Sequence, residues 1–339
     1  MTGRRVGALI VAALVVILLG LWLSSRRNAN PVSEAGQPVL KTLKAQLNEV
    51  TEIRAARGDG SQVTLKKQPT GWVVAEREYP ADAGKVRKLL IDLSSLATVE
   101  AKTSDPTKYS QLGVEDVTSP AATGTRIELV TPEKVNGVIV GKTSGMKSGY
   151  VRATDLKQSV LATPQITVET DPKRWIEPTL VDIPESRIKE VEVLPASGLA
   201  YRVTREKKEQ TDFTVPGVPK GRELSSPSVA NPVAGELTAL TLTDVRKTPA
   251  EAPAKPERAV FRTFDGLEIQ VQGVKDGDRH FVSLTPVSSA KETASEAQTL
   301  DARTKGWQFE IPAYKYDAMF KPLEELLAKV EEKKKGPGK

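Results

Sequence analysis

The 339-residue chain has no cysteine, a single histidine and few aromatic residues, which make up 5% of the total. With no cysteine there is no thiolate nucleophile, no Cys-ligated zinc and no lipobox for lipidation, and an oxidising compartment is compatible with the chain. One histidine is too few for a histidine-built metal centre, and it leaves one place where a Ser-His-Asp arrangement could form. That place is His280, in the run Asp278-Arg279-His280-Phe281-Val282-Ser283-Leu284. The run alternates like a strand leaving a turn, so His280 reads as a surface or edge-strand residue. Scarce aromatics also remove the stacking platforms that hold single-stranded nucleic acid.

Net charge is just as limited in the body of the chain. The formal net charge is +6, but the excess sits in Arg4, Arg5, Arg26 and Arg27 and in the Lys-rich end from 331 to 339, and residues 28–330 are neutral. A neutral body lacks the electrostatic footprint of a nucleic-acid-binding protein. No nucleic-acid partner is expected.

What is present is one long apolar run. Val6–Leu23 holds eighteen uncharged residues between two arginine pairs. At ~1.5 Å per residue it spans ~27 Å as a helix, close to the ~30 Å hydrocarbon core of a bilayer. The run reads as a membrane anchor over residues 1–27. A cleaved signal peptide is the competing reading, but its apolar region is shorter and ends at a small-x-small site. The exit through Trp22-Leu23-Ser24-Ser25-Arg26-Arg27 has no such site. The flanking arginines oppose one another in orientation. The five-residue N-terminal tail has no room for a folded domain, which places the C-terminal body outside the cytoplasm, in the periplasm.

Residues 28–44 read as a spacer, and the body then reads as one α+β unit written twice, over 45–183 and 184–330, before a basic tail at 331–339 expected to be disordered. In the first unit, Val50–Ala56, Gln62–Lys67 and Trp72–Ala75 predict strands joined by turns at Gly58-Asp59-Gly60 and Pro69-Thr70-Gly71. A helix starting at Ala81-Asp82 follows, with Val86, Leu89, Leu90, Leu93 and Leu96 on one face. Its single apolar stripe predicts that it lies across a sheet. Strands return at Arg126–Val130, Val135–Val140 and Tyr150–Ala153, followed by a helical piece at Leu156–Leu161. The second unit repeats the order with Ile188–Leu194, Leu199–Arg205 and Asp212–Val215, then a weak helix through Val233, Leu237 and Leu240. Arg258–Phe264, Leu267–Val271 and His280–Leu284 match the second strand group.

Ile53 and Val191 are 138 residues apart, Gly141 and Gly273 are 132 apart, and Val151 and Val282 are 131 apart. Near-constant offsets over this length predict an internal duplication; two unrelated β-rich halves are the alternative. Pro249–Pro256 reads as a stiff linker, and a C-terminal helix is expected from Tyr314 to Glu332, docked on its own sheet.

No motif carries chemistry. Gly141-Lys142-Thr143 looks like the end of a phosphate-binding loop, but the glycine required five residues earlier is Asn136. Asp276-Gly277-Asp278 is too short for a calcium loop. Asp82, Asp92, Asp105 and Asp116 form no recognisable pair and read as a solvated face. No catalytic, cofactor-binding or metal-ligating residue is therefore assigned, and no cofactor is expected.

Trp72, then Tyr79-Pro80-Ala81-Asp82, then Val86, Leu89, Leu90 and Leu93 form an ordered pattern. It continues through Tyr109, Leu112-Gly113, Gly141 and Tyr150-Val151-Arg152. Over residues 45–330 this pattern resembles the bacterial domain-of-unknown-function family 4340 (DUF4340). The chain departs from it where Tyr109-Ser110-Gln111-Leu112-Gly113 stands for the usual Tyr-Gly-Leu, and in its degenerate second repeat with long Pro-rich inserts. The resemblance implies one N-terminal membrane helix, an exported body, and association in some members with ABC-type transport systems of the gliding-motility auxiliary type. It implies no catalytic residues. The expected partners are therefore the bacterial inner membrane and membrane proteins such as transporter subunits. The expected function is a non-catalytic periplasmic scaffold or accessory subunit, the alternative being a small-ligand or glycan-binding protein or enzyme with a site between the repeats.

Overall fold

The computed structural model describes residues 35–251 and 256–329. The anchor read over Val6–Leu23, the tail at 331–339 and the middle of the Pro-rich linker lie outside the described residues. Among the described residues, no helix is long and apolar enough to cross a membrane. The chain is an α+β protein that divides into two compact units between Trp175 and Ile176, a few residues before the 183/184 division drawn from sequence. Every strand pairing described below is antiparallel.

The first unit carries β1 (Glu52–Arg57), β2 (Gln62–Gln68), β3 (Gly71–Val74), β4 (Tyr79–Pro80), β5 (Ala97–Ala101), β6 (Thr125–Val130), β7 (Val135–Ser144), β8 (Ser148–Ala153) and β9 (Ser159–Thr163). They form one sheet in the order β4-β3-β2-β1-β6-β7-β8-β9-β5. Its first hairpin closes at Gly60, whose φ of +86° suits glycine, while Asp59 Oδ1 accepts from Ser61 N at 2.8 Å.

Helix α1 (Leu43–Gln46) precedes β1, and α2 (Ala83–Ser94) follows β4. Asp82 caps α2 by accepting from Lys85 N at 3.0 Å. The expected stripe Val86, Leu89, Leu90 and Leu93 is buried. Leu96 is buried too, though it lies past the end of the helix. Isoleucines, valines and leucines at alternate positions of β1, β2, β6 and β7 complete this core, including Ile53, Leu65, Ile127, Leu129 and Val138.

Two expectations for this unit are corrected. Residues 36–44 are not a free spacer: Gly36 N donates to Thr98 O and Thr98 N to Gln37 O, Pro38 bridges Ala97, and Leu40 and Leu43 are buried. Leu156–Leu161 is not helical, because Ser159–Thr163 is β9, held between β8 and β5. Pairing on both sides overrides the helical spacing of so short an apolar run. Strand β5 itself, Ala-Thr-Val-Glu-Ala, carries no alternation signal and was missed.

The second unit carries β10 (Thr179–Val181), β11 (Ile188–Leu194), β12 (Tyr201–Thr204), β13 (Leu240–Thr241), β14 (Asp244–Lys247), β15 (Glu257–Thr263), β16 (Leu267–Asp276), β17 (Arg279–Ser288) and β18 (Trp307–Glu310). Seven of them form a sheet in the order β12-β11-β15-β16-β17-β18-β14, and β10 pairs with β13. The expected strand Asp212–Val215 is reduced to a single bridge between Thr204 and Thr214.

The single amphipathic helix expected across this sheet is also corrected. After α3 (Tyr109–Leu112) in the first unit, the second unit has α4 (Asn231–Gly235), α5 (Lys291–Thr304) and α6 (Ala313–Met319). Leu240 belongs to β13, not to a helix, because Ala239 at φ +46° breaks the helical path before it. The C-terminal helix expected over Tyr314–Glu332 ends at Met319, and Pro322 prevents its continuation. Helix α5 was missed because only Thr293, Ala297 and Thr304 are buried, too few apolar positions to give a helical period.

The two sheets share strand order and register. β2-β1-β6-β7-β8-β9-β5 in the first unit corresponds, position by position, to β12-β11-β15-β16-β17-β18-β14 in the second. Ile53 pairs with Leu129, and Val191 with Phe261. From there the pairings lead to Val140 opposite Val151 in one unit and Gly273 opposite Val282 in the other. Setting Ile53 on Val191 therefore sets Val151 on Val282, as the sequence offsets require. It sets Val140, not Gly141, on Gly273. The glycine pair drawn from sequence is one residue out, which in a strand means opposite faces of the sheet.

Candidate functional site

The residues that carry the family pattern converge in the first unit. The Tyr109 ring lies under the Arg152 guanidinium, 4.7 Å from its centroid. Arg152 is 5% exposed; its Nε donates to Val114 O at 2.9 Å and its Nη2 to Asp116 at 2.6 Å. Tyr109, Val114 and Ile139 form one buried cluster with Leu112 and Tyr150 against it. Gly141 lets this segment cross the sheet, since a Cβ there would stand 2.3 Å from Leu112 O. Gly124 does the same against Gly113 O.

Lys142 completes the arrangement. Its ammonium donates to Gln111 O at 3.0 Å and Ser110 O at 3.4 Å, at the C-terminal end of α3 where a cation is favoured. The Gly-Lys-Thr sequence lies within β7 and serves packing there. Arg205 does similar work in the second unit: it is 5% exposed, donates to Ile188 O at 2.9 Å, and stacks 4.6 Å from the Phe213 ring centroid.

The acids singled out from sequence are not brought together. Asp82 caps α2, Asp92 pairs with Lys88 at 2.5 Å, Asp105 accepts from Thr107, and Asp116 holds Arg152. Hydrogen bonds from Thr107 hold the Asp105 carboxyl below its usual range. Among the described residues, no group of three or more His, Asp or Glu side chains is placed to hold a metal ion.

A cleft in the second unit was not foreseen. It holds about 730 Å³ and is lined by the turn at Pro195–Ser197, the end of β16 and the α6 segment. On its wall Tyr316 donates a short hydrogen bond to Glu257 Oε2, and Ala196 N donates to Glu257 Oε1 at 3.2 Å. Burial, and then the Glu257 carboxylate, push the Tyr316 phenol well above its usual range, so it stays a neutral donor. Gly273 makes room for it: a Cβ there would lie 2.7 Å from Tyr316 Oη and 2.5 Å from the Phe320 ring.

Lys275 sits 5.2 Å from the Tyr316 ring centroid and 3.0 Å from Asp317. His280, paired across strands with Lys275, packs against Tyr316 with ring centroids 5.0 Å apart. The edge-strand reading of His280 is corrected, because β17 lies between β16 and β18 and His280 O accepts from Ile311 N. Sequence reasoning missed Glu257 and Tyr316, which lie 59 residues apart and carry no shared local motif.

Near the cleft, Glu236 is 7% exposed, with Lys315 Nζ 3.4 Å from its Oε2. Desolvation raises its pKa against the opposing pull of Lys315 and then Lys321. A carboxyl raised in the folded state contributes stability below its unfolded pKa and loses it as pH rises through the folded value. Urea unfolding of wild type and Glu236→Gln at pH 4.5 and 7.5 is expected to show the glutamine variant gaining on wild type at the higher pH. A gap that does not change with pH would contradict this.

The chain belongs to the family described as Domain of unknown function (DUF4340), whose model matches residues 72–259. The match runs from β3 to Ala259, the third residue of β15, and so crosses the boundary between the two units. No curated protein and no solved structure matches the chain.

Proposed function

We propose that this protein is a non-catalytic scaffold or accessory subunit of an envelope or ABC-type transport assembly. It is anchored in the bacterial inner membrane by Val6–Leu23, with its two units on the periplasmic side. The units derive from one ancestral α+β unit by duplication, a reading supported by their shared strand order and register. The observation that carries the functional reading is how the buried charges are used. Arg152 and Arg205 donate to main-chain carbonyls and hold loops against each sheet. These two buried arginines thus build rigid platforms, which is what a scaffold requires.

Crosslinking in intact cells, followed by affinity purification from membranes and mass spectrometry, tests the reading. Recovery of transporter membrane subunits or their ATPase is the expected result. Protease treatment of spheroplasts is expected to digest the body, and intact-mass analysis to show that residues 1–27 are retained. A protein cleaved near Asn28, a protected body or the absence of any transporter subunit would each overturn part of the proposal.

A further inference from the structure

We propose that the cleft in the second unit binds a short, uncharged oligosaccharide. This goes beyond the scaffold reading and stands or falls separately from it. Four features of the cleft fix the class of ligand.

The first is the main chain. The strand that contributes most to the cleft, β16, is hydrogen-bonded to β17 along its whole length and to β15 over Glu268–Gly273. A peptide that binds in extended form needs a free strand edge to pair with. The described pairing leaves only Val274–Asp276 open, on the β15 side, too short an edge to seat an extended peptide, so recognition falls to side chains.

The second is charge. Lys275 and Lys321 line the cleft together with Glu257, Asp317 and Glu325. Lys275 is already paired with Asp317 at 3.0 Å. Opposite charges interspersed in this way give no single-signed field to attract a phosphate, a polyanion or a basic peptide. They do give a mixed set of donors and acceptors.

The third is the capacity left in that set. Glu257 accepts once at each carboxylate oxygen, from Ala196 N and from Tyr316, while each such oxygen can accept two hydrogen bonds. Asp317 and Glu325 are further acceptors beside it. Sugar hydroxyls donate and accept at short spacing, and they match a wall of this kind better than an apolar ligand, which would leave these groups buried and unpaired.

The fourth is Tyr314. Its side chain is 70% exposed while it lines the cleft. An aromatic ring left in water at the mouth of a polar cleft offers an apolar face with a polar tip. The C–H face of a pyranose ring stacks on such a surface while its hydroxyls reach the wall. The volume of about 730 Å³ lies within the range of small-molecule sites.

The test uses the full chain purified in detergent. Applied to a printed array of bacterial and plant glycans, it is expected to retain a defined subset. The tightest of these is then titrated by calorimetry. Tyr314→Ala is expected to weaken binding at least tenfold with an unchanged melting temperature, because the side chain is exposed. Asp317→Asn is expected to weaken it severalfold, and Lys88→Ala, in the first unit, to leave it unchanged. Retention of no glycan overturns the proposal. So does retention of peptides from a parallel peptide array in place of glycans, or glycan binding that both Tyr314→Ala and Asp317→Asn leave intact.

Discussion

Gly141→Ala is expected to destabilise the first unit by about 3 kcal/mol, the upper part of the range for forcing extra volume into a packed site. The added Cβ would stand 2.3 Å from Leu112 O and 2.8 Å from Gly113 O. Both are main-chain atoms, so neither can move aside by changing a rotamer. Either β7 or the Leu112–Gly113 turn must shift, and the Tyr109–Val114–Ile139 cluster beneath them opens. Gly149→Ala is the control, since its Cβ would meet only Lys142 O, at 3.6 Å. Chemical denaturation of the two variants is expected to separate them clearly. Similar midpoints would mean that α3 is not held against β7.

Arg152→Ala is expected to cost about 3 kcal/mol as well, for a different reason. The buried Val114 O loses its donor, at ~1–3 kcal/mol for a buried group left unpaired, and the part-buried Leu156 O loses a longer bond of 3.4 Å. The Tyr109 ring loses its cationic partner. Asp116 adds little to this loss, because its side chain is 68% exposed and water replaces the guanidinium. Arg152→Lys is expected to recover only a minor part, because an ammonium cannot reach Val114 O, Leu156 O and Asp116 from one planar fork. Thermal melts of Arg152→Ala, Arg152→Lys and Asp116→Ala give the order. Full rescue by lysine would show that charge alone matters here.

The parts of the fold legible in the sequence are those where local pattern and tertiary role agree. Helix α2 has a cap, a start after Pro80 and an apolar stripe, all of which the structure uses. Strand β11 is legible to the residue because Val191 and Val193 alternate inward and Ile188 at its start is apolar and buried, past a register shift between Ile188 and Glu190. Strands β5, β14 and β18 are short and were not seen, because their identity comes from the neighbours they pair with. The cleft was illegible for a related reason. Glu257 opens a strand after a proline-rich stretch, Tyr316 sits on a seven-residue helix, and only the sheet brings them together. By contrast Tyr109 and Arg152 were marked by the family pattern, although nothing in their spacing revealed that one stacks on the other.

The seating of Gly36–Val39 on β5 has a mechanical consequence. Strand β5 is the outermost strand of its sheet, at the end opposite β4. Tension applied through the chain before Gly36 therefore reaches β5 first, through the Gly36–Thr98, Gln37–Thr98 and Val39–Leu96 hydrogen bonds. Once these part, the load passes along the chain to the buried Leu40 and Leu43 and then to β1. The seating of Gly36–Val39 is a sacrificial contact: a pull from the N-terminal side breaks it first, while β5 stays on β9 and β1, β6 and β7 are still paired.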